Sequence, residues 1–117
     1  MTAMLVVLNK RFEESGRRIP LTPPAQTIGR NLKCDIVIDK NDLCLLEKGG
    51  SNLVKVSRTH TKFSQIGERW IIADSGSTNG TSVNFKPIDQ NKVELFDTDI
   101  IGLGGIVYFK FREDDAS

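Results

Sequence analysis

Nowhere in this sequence do apolar residues recur at i, i+3, i+4 and i+7 over three successive helical turns. They come in short β-branched and aromatic runs instead, separated by turn chemistry at intervals of about eight to twelve residues. A chain so patterned buries its apolar surface by packing sheet on sheet, as a β-sandwich or a barrel. Strands are expected at Leu5–Leu8, Arg18–Leu21, Thr27–Gly29, Ile36–Ile38 and Lys55–Ser57, with a turn at Ser15-Gly16. More are expected at Thr61–Ile66, Arg69–Asp74, Thr81–Asn84, Val93–Leu95 and Ile106–Phe111, the first two joined by a Gly67-Glu68 hairpin turn. Pro20, Pro23 and Pro24 cannot donate to an interior ladder, which puts that stretch at a sheet edge or in a loop.

The 117 residues allow one domain, and 38% hydrophobic with 26% charged residues is ordinary for a folded core. A chain of this size buries roughly two thirds of its unfolded surface, so it needs no metal or disulfide staple. Sixteen basic against fifteen acidic residues give a net charge of +1, which argues against wholesale binding to nucleic acid or to a membrane surface. Cys34 and Cys44 fit no zinc-ligand spacing and are expected as thiols, an oxidised pair being the alternative. The apolar run Met4–Leu8 is too short for a secretory signal and far below the ~20 residues that cross a bilayer, so the chain reads as intracellular. Lys40–Asn52 is charged and irregular and is expected as a long surface loop, with Leu43, Leu45 and Leu46 packing back onto the sandwich. The acidic stretch Glu113–Ser117 is expected to fray as the start of a linker, leaving residues 1–112 as the domain.

Nothing in the pattern supports catalysis. Ser57 precedes His60 by three residues, and in an extended segment those side chains point to opposite faces. Gly102-Leu103-Gly104-Gly105 lacks the Gly-Lys-Ser/Thr ending of a phosphate-binding loop and leads into a strand. Asp97 and Asp99 read as a solvated turn rather than a cation site, and His60 is the one histidine, so no metal or cofactor is expected. What stands out is polar chemistry between strands: Gly29-Arg30-Asn31, Ser57-Arg58-Thr59-His60, and the run Ser75 to Thr81. Loops cluster at the ends of a sandwich, and an arginine fork among hydroxyls and loop N–H groups makes a receptor for a tetrahedral dianion.

These three stretches, with Asn84 after them, resemble the signature of the forkhead-associated (FHA) domain. Ile36-Val37-Ile38 before the second motif and Trp70-Ile71-Ile72-Ala73-Asp74 before the third agree in order and spacing. The resemblance implies an all-β FHA-like sandwich of about eleven strands in two sheets, and recognition of phosphothreonine-containing segments of partner proteins. It further implies that Arg30 pairs with the phosphate, that Ser57 and Thr78 add hydroxyl contacts, and that Arg58 reaches the phosphate or its neighbours. Asn79 would bond the peptide backbone, and Lys55 would lie near the ligand. Gly29, His60, Gly80 and Asn84 would be architectural. Ser77 adjoins Thr78, and motif alignment alone selects Thr78 as the hydroxyl that faces the ligand. Placed near the first Met, the module resembles that of DNA-damage-response adaptors, which implies a nuclear or else cytoplasmic protein. Two alternatives accompany this reading. One is phospho-independent self-association through a sheet face, giving a homodimer; the other is docking of a phosphorylated Thr2 into a neighbouring copy.

Overall fold

The computed structural model describes residues 2–9, 11–38 and 56–114. Among them run eleven strands: β1 (Thr2–Leu8), β2 (Glu14–Pro20), β3 (Ala25–Gly29), β4 (Ile36–Val37), β5 (Thr61–Ile66), β6 (Arg69–Asp74), β7 (Thr81–Val83), β8 (Lys86–Pro87), β9 (Lys92–Leu95), β10 (Ile100–Leu103) and β11 (Val107–Asp114). They form a six-stranded sheet in the order β2-β1-β11-β10-β7-β8 and a five-stranded sheet in the order β4-β3-β5-β6-β9. Every pairing described is antiparallel except β3 with β4. This is the expected all-β sandwich.

Alternation along the strands decides what lies between the sheets. Leu5 and Val7 of β1, Val107, Phe109 and Phe111 of β11, and Ile101 and Leu103 of β10 face the core from one side. Ile28, Phe63, Trp70, Ile72 and Leu95 meet them from the other. Each such side chain contributes roughly 1.5–3 kcal/mol on burial, which makes this layer the main stabilising element. Residues between them along β11, namely Tyr108, Lys110 and Arg112, are on the outer face.

Several local expectations change. Ser15 and Gly16 lie inside β2 rather than in a turn. The reversal is at Asn9–Glu13, where the Asn9 side-chain oxygen accepts N–H groups of Arg11 (2.8 Å) and Glu13 (3.0 Å). An asparagine that satisfies the backbone two and four residues on is a stronger turn signal than Ser-Gly. β7 stops at Val83, because Asn84 takes φ +52 and begins the turn. Val56 and Ser57 form no strand, and Lys55 lies outside the described residues. Glu113 and Asp114 belong to β11, paired with Ala3 and Thr2, so the last strand runs past the expected boundary at residue 112. The expectations for Lys40–Asn52, Cys44 and residues 115–117 fall outside the described residues.

The candidate site sits where β3 ends, β5 begins, and β6 passes to β7. Ile28 pairs with Thr61 and Thr61 with Asp74, so Gly29, His60 and the run after Asp74 emerge at one rim.

Candidate functional site

Gly29 brings the first two loops together. A Cβ there would stand 2.1 Å from the carbonyl oxygen of Arg58, closer than any side chain tolerates. With that space open, the N–H of Arg30 donates to the Ser57 carbonyl (3.2 Å) and the N–H of Asn31 to the Arg58 carbonyl (3.0 Å). The buried thiol of Cys34 donates to the same Arg58 carbonyl at 3.2 Å. The Arg30 side chain is anchored as well, its Nε donating to the carbonyl of Val56. No described residue accepts from its two terminal nitrogens, and Arg30 and Arg58 are both exposed.

His60 joins the second loop to the third. Its Nδ1 accepts the N–H of Ser57 at 2.9 Å, and its Nε2 lies 2.7 Å from the carbonyl of Gly80. A nitrogen that accepts a backbone N–H carries no proton, so the proton is on Nε2 and is donated to Gly80. Burial holds the imidazole below its ordinary pKa of 6.5, against the opposing pull of the Gly80 carbonyl and the Asp74 carboxylate, and keeps it neutral. The segment turns where an extended one was expected, which brings the His60 ring to the Ser57 backbone N–H. The ring meets the serine's backbone and not its hydroxyl, which leaves it no role as a base. These two bonds brace the second loop against the third.

Asp74 organises the third loop, a role the sequence did not disclose. Its carboxylate accepts the N–H groups of Gly76 (3.0 Å) and Ser77 (2.9 Å), the Ser77 hydroxyl, and the Thr81 hydroxyl (2.6 Å). Burial raises its pKa, but these hydrogen bonds outweigh that and hold it below the ordinary 3.8. Thr81 also meets the buried Thr61 hydroxyl at 2.8 Å. Gly80 takes φ +86, a conformation that suits glycine, and its N–H donates to the Ser77 hydroxyl oxygen at 3.0 Å. Ser77 is thus fully engaged inside the loop, while the Thr78 side chain is exposed. The Thr78 N–H donates to the Ser57 hydroxyl oxygen at 3.0 Å, closing the ring of three loops.

The rim therefore presents the Arg30 terminal nitrogens, the Arg58 guanidinium, the Ser57 hydroxyl proton and the Thr78 hydroxyl, none with an acceptor among the described residues. Charge-assisted hydrogen bonds of this kind contribute roughly 1.5–3 kcal/mol each, so a few of them hold a dianion without an apolar interface. Asn79 stands exposed beside them. Asn84 is not at the rim. It lies past the far end of β7, where its Nδ2 donates to Asp99 (3.0 Å) and its Oδ1 accepts the N–H of Ile100 (3.0 Å), an architectural role. Asp97 and Asp99 are turn-formers here, accepting the N–H groups of Glu113 and Phe96.

Comparison with known proteins agrees with this geometry. The FHA domain family model matches residues 26–104. The glycogen accumulation regulator GarA of Mycolicibacterium smegmatis is 33% identical over 116 residues, covering 99% of this chain and 64% of that protein. An oxoglutarate dehydrogenase inhibitor of Corynebacterium jeikeium is 34% identical over 111 residues, covering 95% of this chain and 62% of that protein. The chain thus spans less than two thirds of these curated relatives. A solved structure described as a structural and functional analysis of phosphothreonine-dependent FHA domain interactions superposes with a TM-score of 0.74 at 28% identity, covering 97% of this chain and 98% of that one. The sandwich, the three joined loops and these matches lead to one conclusion: the chain belongs to the FHA domain family.

Proposed function

We propose that this chain is a non-enzymatic module that captures phosphothreonine in partner proteins. Arg30, Ser57, Arg58 and Thr78 hold the phosphate, and Asn79 and Lys55 contact the peptide beside it. The observation that carries this reading is the bond from the Thr78 N–H to the Ser57 hydroxyl oxygen, which fixes the serine beside the anchored Arg30 and leaves its proton for an incoming oxygen. Phosphorylation supplies the switch, because the added charge of about −1.5 to −2 makes contacts that an unmodified threonine cannot. Support comes also from the family and from the phosphothreonine-dependent interactions named for the superposed structure.

The relatives named above are bacterial regulators and inhibitors, which favours control of a metabolic enzyme over the DNA-damage and nuclear setting first expected. In this reading the partner is an enzyme or its kinase-modified regulator. Fluorescence anisotropy with a phosphothreonine peptide tests the site. Arg30→Ala and Ser57→Ala should each weaken capture by about tenfold or more while the chain keeps a single cooperative thermal transition, lowered by no more than the loss of one hydrogen bond. Unchanged affinity in both variants overturns the assignment.

A further inference from the structure

The outer face of the six-stranded sheet carries a feature that the phosphate site does not use. Tyr108 on β11 lies over Gly102 on β10: a Cβ at Gly102 would come within 2.7 Å of its ring and 2.5 Å of the Ser82 hydroxyl oxygen. Phe12 from the β1–β2 turn and Phe85 from the β7–β8 turn close on that ring, with centroids 4.9 and 5.8 Å from Tyr108 and 5.2 Å from each other. Both phenylalanines take left-handed backbone conformations, φ 62 and 67, which cost a bulky residue about 1 kcal/mol or more. They nevertheless remain 41% and 54% exposed, and none of the three rings belongs to the core. The fold thus spends backbone strain and a vacated glycine position on an aromatic cluster that water still reaches.

Charge surrounds it unevenly. Arg18 and Lys110 flank Val6 in one row across β2, β1 and β11, with Arg112 two positions further along β11. Glu14 pairs with all three at 3.5–4.0 Å and Asp97 with Arg112 at 3.5 Å, two carboxylates among three cations. Exposed Arg11 and Lys86 adjoin Phe12 and Phe85 in sequence, with the exposed acid Glu13 on the other side of Phe12, so the face still carries more cations than carboxylates. With a whole-chain charge of only +1, this basic excess is local. A second copy placed face to face would set these cations against themselves. Single-stranded nucleic acid needs ring faces open for stacking, whereas Phe12 packs edge-to-face on both neighbours, at 89° and 79°.

We infer that this face docks a second protein segment, acidic and bearing an apolar side chain that seats on Phe12, Phe85 and Tyr108, without need of phosphate. The inference stands apart from the phosphothreonine reading.

Selection from a bead-bound library of short unphosphorylated peptides tests it. The selected peptides should place Asp or Glu around Leu, Ile or Phe. Their affinity should fall about tenfold in Phe12→Ser/Phe85→Ser and with added salt, and should hold in Arg30→Ala. Arg11→Glu/Lys86→Glu, which leaves the rings in place, should give the same loss if the serine variant folds poorly. Peptides without acidic enrichment, or binding that survives both double variants or is lost in Arg30→Ala, overturn the inference. So does a (dT) oligonucleotide, or a concentration-dependent mass in sedimentation, whose signal disappears in these variants.

Discussion

Arg30 and Ser57 are set by backbone oxygens and N–H groups more than by each other. The carbonyls of Val56, Ser57 and Arg58 hold the Arg30 and Asn31 end of the first loop, and that contact exists only because position 29 has no Cβ. Gly29→Ala should therefore cost about 2–3 kcal/mol in urea unfolding, since backbone rather than a flexible side-chain tip must move. It should weaken phosphopeptide capture as well, because the Arg58 carbonyl is pushed from the Asn31 N–H. Ser77 and Thr78 separate in the same way. Ser77→Ala deletes bonds to Asp74 and Gly80 and should lower stability by about 1–2 kcal/mol in urea unfolding. Thr78→Ala removes an exposed hydroxyl and should leave stability within about 0.5 kcal/mol while weakening phosphopeptide binding several-fold in anisotropy.

At the scale of elements, the vacated space at Gly102 governs the outer face. Gly102→Ala should displace the Tyr108 ring at a cost of about 1–3 kcal/mol in urea unfolding, because a packed ring must move, and should change the tyrosine contribution to near-ultraviolet circular dichroism. This strand was not legible beforehand: Ile100–Leu103 is short and interrupted by glycine, and it reads as part of a glycine-rich loop. β8 is two residues ending in proline and carries no periodic signal at all. β5 and β6 were legible from end to end because their alternation is long and a Gly-Glu turn joins them. Around the rim, Arg30, Ser57 and Thr78 stand out through local motifs, and the structure brings their three loops together. The work of Asp74 does not stand out, since it depends on hydroxyls and N–H groups two to seven residues ahead that only a folded loop brings back. The anchoring carbonyl of Val56 has no side-chain signature, so no residue pattern announces it.

For the molecule as a whole, acid should act in stages. His60 is held neutral below its ordinary pKa of 6.5, so the unfolded chain takes up its proton first, and stability should fall as pH drops below about 6.5. Asp74 is held below 3.8, so its contribution is present above that value and is lost as pH falls further. Glu113 runs the other way: burial and the nearby Asp97 and Glu94 raise its pKa above 4.5, so protonation near there relieves a cost. Urea midpoints across this range should show a first decline, a shallower stretch, and a second decline; a His60→Gln variant whose profile keeps the first decline contradicts the assignment. One last property follows from the pairing of β1 with β11, in which Thr2 lies opposite Asp114. Thr2 and Asp114 are neighbours at the pole away from the rim of joined loops. Chain joined at both of these strand ends would enter and leave through a single surface seam, with the three joined loops at the opposite pole.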